Sequence, residues 1–327
     1  MDRTTDGRQQ SVFLFLTEQC NLSCAHCYVS AGPALTNQMS DRVFAESLDL
    51  FVDRLGVRDV RLTGGEPTLH PRFDWIAASL KSNGCKVRII TNGIRLNRAT
   101  GRSDFLRNVD ECWVSLYGTT QERHAAIAGS GSLLLSTAVT LVASVAQTGY
   151  PIGASLLLSP GDRSLIQGTL ERYLASGIRR VRLIPVQPDG RATRSTWSWV
   201  DWINEIKMIC ADLSSFARRH EFEVLKINNP FDWTASERDG CRSCLLAKRA
   251  LWSVAPNGDT YSCCFNVYDS SHRIGNVADI KISDVLDTFT APCRGLSAEF
   301  WRSGSDFGAT PTCPISSTDL IQDINTT

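Results

Sequence analysis

The chain has 327 residues, 43% hydrophobic and 21% charged, with 34 Lys+Arg against 34 Asp+Glu. That apolar content and zero net charge exclude a disordered chain. They also provide no basic excess for nucleic acid or for an anionic membrane. The longest nearly apolar stretch, Leu133 to Ala146, is shorter than the ~20 residues of a membrane span. The first ten residues carry no apolar signal-peptide core, so a cytoplasmic location is expected.

In chain order, the first strand expected is Ser11 to Leu16, followed by a helix over Ser40 to Leu55 with Ser40 as its N-cap. Strands at Asp59 to Leu62, Lys86 to Ile90, Cys112 to Leu116, Ile152 to Leu158 and Arg179 to Ile184 follow. Helices at Phe73 to Ser82, Leu133 to Thr148 and Ser164 to Ser176 lie between them. This alternation predicts βαβ units and a parallel sheet. The strands read as nearly continuous apolar runs, which predicts cover on both faces. Six repeats make an α/β part-closed barrel or open wound sheet, with ligands at the carboxyl ends of the strands. A long helix, Ser198 to His220, comes next, and Asn228-Asn229-Pro230 breaks the pattern. The organisation expected is a tail over 1–10, a barrel over 11–195, a connecting helix and strand over 196–230, and a smaller cysteine-bearing domain over 231–327.

Twelve cysteines are the anomaly. Without a secretion signal, clustered cysteines point to metal binding or catalysis before disulfides. Cys85, Cys112 and Cys210 stand alone and read as small buried apolar residues. Cys20, Cys24 and Cys27 form Cys-x3-Cys-x2-Cys directly after the first strand. Structural zinc and fully protein-ligated iron–sulfur sites take four ligands, so three thiolates leave one position open to a substrate or cofactor. The competing arrangement, a zinc knuckle closed by His26, needs that side chain to turn back into its own tight loop.

This motif resembles the radical S-adenosylmethionine (SAM) family, whose Cys-x3-Cys-x-aromatic-Cys loop follows the first strand of a (β/α)6 partial barrel. His26 stands at the aromatic position. The resemblance implies that Cys20, Cys24 and Cys27 hold a 4Fe–4S cluster whose remaining iron binds SAM. The reduced cluster would release a 5′-deoxyadenosyl radical that takes a hydrogen from the substrate. Thr63-Gly64-Gly65-Glu66-Pro67 matches the family's GGE motif, with Gly64 and Gly65 admitting the methionine amino group and Glu66 accepting its hydrogen bonds. Thr91-Asn92-Gly93 ends the third strand as in the family, which puts Asn92, like Tyr28, at the cofactor. Trp113 to Gly118 ends the fourth, with Ser115 the candidate at the SAM carboxylate and ribose. Many relatives carry aspartate where this chain has Tyr117, which either faces substrate or packs. Pro188-Asp189-Gly190-Arg191-Ala192 resembles a common ending of the sixth strand.

The second cysteine group surrounds Ala255-Pro256-Asn257-Gly258-Asp259, a turn between strands Leu251 to Ala255 and Thr260 to Ser262. The whole resembles the SPASM/twitch extension in its short form, with one auxiliary 4Fe–4S cluster. Cys241, Cys244, Cys263 and Cys313 are its expected ligands, and Cys293 competes for the last place. A zinc ribbon is the alternative. Cys264 is left over. It is a packed thiol, an alternative cluster ligand, or a hydrogen donor to a substrate radical, as in radical SAM epimerases. The resemblance thus implies natural-product tailoring, most sharply epimerisation in a ribosomal peptide. An aminoglycoside or carbohydrate substrate, or oxidative thioether or carbon–carbon crosslinking, are alternatives. A zinc-binding interaction protein is the reading from another class. The family also implies a flavodoxin or ferredoxin as electron donor.

Overall fold

The computed structural model describes residues 10–99, 101, 105–129, 131–186, 190–194, 197–227, 251–262, 264 and 267–287. Seven parallel strands follow one another: β1 (Ser11–Phe15), β2 (Asp59–Thr63), β3 (Lys86–Thr91), β4 (Glu111–Leu116), β5 (Ile152–Leu158), β6 (Arg180–Pro185) and β7 (Val224–Ile227). The hairpin strands β8 (Leu251–Val254) and β9 (Asp259–Tyr261) and the strand β10 (Arg273–Asn276) complete the sheet. Its order is β10-β9-β8-β1-β2-β3-β4-β5-β6-β7. The fold is the α/β parallel sheet of a partial barrel, with antiparallel strands added at one edge.

The element positions agree closely with expectation. Phe73–Ser82 and Ile152–Leu158 form as predicted, and Leu135–Ala146, Arg163–Ala175 and Trp199–Ala217 differ only at their ends. Ser40 caps its helix by accepting from the Val43 amide. That helix does not run straight to Leu55: Asp41–Ser47 passes into a π-helical segment, Leu48–Arg54. Helices Ile94–Arg98 and Gln121–Ala128 have no counterpart in the sequence reading. The first is five residues long and the second has few apolar residues to mark a period.

Two findings add to that reading. The hairpin strand β8 pairs parallel with β1, Ser11 opposite Leu251 and Leu14 opposite Val254, so it extends the barrel sheet. The strands are largely covered on both faces, as expected, but β2, β3, β4 and β6 are not apolar on both. Val12, Leu14, Val60, Leu62, Val87, Ile89, Val114, Val181 and Leu183 join the core under the helices, as do the lone cysteines Cys85, Cys112 and Cys210. The residues between them point the other way, and they are Arg61, Arg88, Trp113, Arg180 and Arg182, with Phe13 and Phe15 on β1. A period-two alternation puts alternate side chains on opposite faces, so the inner face of the barrel is charged and aromatic.

Candidate active site

The cysteine loop leaves β1 at its carboxyl end. Bridges between Thr17 and Gln38 and between Gln19 and Gly32 close its base. The Cys27 amide donates to the Cys24 carbonyl, and the Ala25 amide to the Ile127 carbonyl. Cys20 and Cys24 are buried and Cys27 half-buried, among Leu22, Ala31, Ile94, Tyr117 and Ala128. The Cys20 sulfur accepts from the Leu22 amide at 3.4 Å, and the Asn92 side-chain amide lies 4.0 Å from it. Asn92 also donates to the Asn21 side chain, and its carbonyl oxygen accepts from the Ile94 amide.

The glycines of the next loop have a tighter role than the sequence reading gave them. A Cβ on Gly65 would stand 2.2 Å from the Gln19 carbonyl oxygen. On Gly64, at φ +135°, it would stand 2.4 Å from that of Thr17. The Gly65 and Glu66 amides donate to these same two carbonyls. The pair lets one loop lie directly on the cysteine loop. Glu66 is fully buried and accepts from the Thr68 amide and hydroxyl, the Thr91 hydroxyl and the Asn92 amide. Burial pushes its carboxyl up, and these four donors pull it back.

A third loop clamps the same site. The Arg191 amide donates to the Cys27 carbonyl, and its Nε to the Cys24 carbonyl at 2.8 Å. Gly190, at φ +54°, fits because a Cβ there would meet the Cys27 and Tyr28 carbonyl oxygens at 2.4 Å. Neither role is legible from Pro188-Asp189-Gly190-Arg191-Ala192 alone.

Tyr117 is buried between His26 and His124, each ring centroid 5.4 Å from its own. Burial raises its phenol well above the ordinary range, and Cys24 and Cys20 add to that. Its position supports the cysteine loop. His124 is structural: its ring accepts from the Tyr117 amide and bonds the Leu133 carbonyl. Burial lowers His26 to about 4, with Arg191 adding to the effect. Ser115 stands on the inner face of β4, and Tyr28 packs beside the Phe13–Phe15 cluster. Cys264 is buried in that same cluster with Tyr261, Val267 and Ala255. Cys241, Cys244, Cys263, Cys293 and Cys313 lie outside the described residues.

The three thiols fit an iron–sulfur cluster. Among the described residues no three such side chains close on a single ion. A cubane does not require that, since each cysteine binds its own iron. Burial raises Cys20 to about 11 and Cys24 to about 12, each raised further by its neighbouring thiols. The iron charge is what makes such thiols thiolates, and the apolar wall keeps water from them.

The radical SAM superfamily model matches residues 14–124, which include this loop and the Gly64-Gly65 loop. The mycofactocin maturase MftC of Mycobacterium tuberculosis is 28% identical over 262 residues, 78% of this chain and 64% of its own length. The PqqA peptide cyclase of Ruegeria pomeroyi is 30% identical over 186 residues, 55% of this chain and 48% of its own. Among solved structures, Streptococcus suis SuiB bound to S-adenosylmethionine has TM-score 0.65 at 15% identity, covering 84% of this chain and 65% of that one. Native anSMEcpe with bound AdoMet has TM-score 0.63 at 16% identity, covering 85% and 80%. A part-closed parallel barrel with three thiols on its first loop is thus accompanied by sequence similarity across that loop. Residues 14–124 of this chain carry the radical SAM superfamily signature. The chain spans 64% of the length of the mycofactocin maturase.

Proposed function

We propose that this chain is a radical SAM enzyme that matures a peptide, with an oxidised or crosslinked product. The observation that carries the reading is the cysteine loop locked between the Gly64-Gly65 and Gly190-Arg191 loops at the carboxyl ends of the strands. The extent of similarity to a mycofactocin maturase and a peptide cyclase supports the peptide substrate and the oxidative outcome. When bound, a reduced 4Fe–4S cluster with SAM supplies a carbon-centred radical that removes a substrate hydrogen. Cys20, Cys24 and Cys27 would hold the cluster, and Asn92 and Arg191 orient their loop. Glu66 braces the β2 loop against the end of β3. Gly64, Gly65, Ser115 and Tyr28 remain candidates for SAM contacts. An auxiliary cluster on Cys241, Cys244, Cys263 and Cys313, or Cys293 in the last place, would take the substrate's electron. A flavodoxin or ferredoxin would supply the reducing one.

Epimerisation keeps one structural support: Cys264 is buried beside Phe13 and Phe15, on the barrel's inner face. Product mass separates the two chemistries. Oxidation or crosslinking removes two hydrogens, while epimerisation leaves the mass unchanged. If Cys264 is the donor, Cys264→Ala keeps SAM cleavage and loses the epimer.

Anaerobic reconstitution with iron and sulfide quantification tests the whole reading. The wild type is expected to load two 4Fe–4S clusters, and a variant with Cys20, Cys24 and Cys27 changed to Ala one. Colourless, zinc-loaded protein would sink the reading.

A further inference from the structure

The inner face of the barrel holds more positive charge than it neutralises. Four arginines stand there: Arg61 on β2, Arg88 on β3, and Arg180 and Arg182 on β6. Two buried carboxylates serve them. Asp59 pairs with Arg61 at 3.5 Å and Arg88 at 3.1 Å. Glu111 pairs with Arg88 at 3.0 Å and with Arg180. Arg180 has a further partner in Glu223 at 3.8 Å. Among the described residues Arg182 has no carboxylate partner, although only 7% of its surface is exposed.

Its surroundings fix its direction. The Arg182 Nε donates to the Ser155 hydroxyl, its register partner on β5. Its guanidinium lies over the Trp113 ring, 4.7 Å from the centroid. Its Nη2 is buried with no hydrogen-bond partner. Burial, and then the charge of Arg61, push Arg182 down to about 9. A buried guanidinium with a free N–H and no counter-ion is costly unless an anion completes it.

We propose that Arg182 binds a carboxylate of the peptide substrate inside the barrel. The planar fork of arginine suits a carboxylate, and the surplus charge selects an acidic side chain or a peptide C-terminus over a neutral one. Arg182 is then a specificity-determining residue, in register with Ser115 through Ser155. This rests on the peptide-maturase reading.

The test uses the reconstituted full chain with SAM, titrated calorimetrically with three peptides. They are acetyl-Gly-Glu-Gly-amide, acetyl-Gly-Gln-Gly-amide and acetyl-Gly-Gln-Gly with a free C-terminus. One of the two anionic peptides is expected to bind about tenfold more tightly than the neutral one, as a charge-assisted bond gives. The tighter of the two identifies the source of the carboxylate. Arg182→Met keeps the stem over Trp113 and is expected to erase the preference, while Arg182→Lys keeps part of it. Equal binding of all three to the wild type, or binding of none, overturns the proposal without need of a variant. So does a preference that survives in Arg182→Met. A loss of SAM affinity in Arg182→Met with the peptide preference intact assigns the residue to the cofactor and overturns it too. Failure to load iron sinks the maturase reading and this one with it; a loaded protein that does not discriminate sinks this one alone.

Discussion

The two faces of the same parallel strands are built from opposite chemistry. Under the helices, Val12, Leu14, Leu62, Ile89 and Val114 form one continuous apolar core. One residue away along the strands, Phe13, Arg61, Arg88, Trp113 and Arg182 turn into the barrel. The side chains that these strands turn to the outer face are apolar, so the stability of that face comes from burial. The inner face holds charges that cost free energy to bury and are retained in pairs or against rings. The difference teaches that stability and recognition are separated by a single step along the strand. A substitution on one face is therefore expected to leave the other property largely alone.

The largest test of that separation lies on the outer face. Leu62→Ala is expected to cost about 2–5 kcal/mol in urea unfolding by removing a fully buried side chain. Protein that remains folded should still load the iron of the Cys20–Cys27 loop, and loss of that iron in folded protein would break the comparison. Glu111→Gln comes next, on the inner face. Burial pushes the Glu111 carboxyl up, but Arg88 and Arg180 outweigh it, so the group lies below its usual range. A depressed folded pKa stabilises above the unfolded value of about 4.5 and loses that stability as pH falls through the folded one. The variant is expected to lose about 2 kcal/mol at pH 7 and to lack this acid-side decline between pH 5 and 3. Parallel stability–pH curves for the two proteins would refute the pairing.

Smaller effects on stability sharpen the same contrast. Gly65→Ala drives a Cβ against the Gln19 carbonyl, so reconstituted protein should lose most of its iron at the cysteine loop. Its melting temperature should fall less than that of Leu62→Ala, since no core side chain is removed. Ser40→Ala removes one helix cap, far from the barrel interior, and is expected to cost about 1 kcal/mol with cluster content unchanged.

The cysteine loop was legible because three cysteines at fixed spacing after an apolar run need no tertiary contact to be noticed. The role of Tyr117 was not. Whether a tyrosine after β4 meets substrate or braces the cysteine loop depends on His26 and His124 packing on either side. Gly64 and Gly65 were read as room for a ligand, yet the carbonyls that require them belong to Thr17 and Gln19, remote in sequence. The inner arginines were visible as letters in Val-Arg-Leu-Thr and Arg-Val-Arg-Leu-Ile. At period two they form one face of an alternation, which only the apolar residues on either side disguise as a continuous run.

The sequence by itself determined the order of strands and helices, the parallel sheet and the loop that carries the cysteine triad. Those depend on local periodicity, turn residues and spacing, which act over a few residues. Only the tertiary structure decided that β8 lies beside β1, that Arg191 clamps Cys24 and that the Arg182 guanidinium lies over Trp113. Each of these is a meeting of residues far apart in the chain. Which partner such a residue finds is settled by how the sheet curls and which strands pair, quantities no short window of sequence contains.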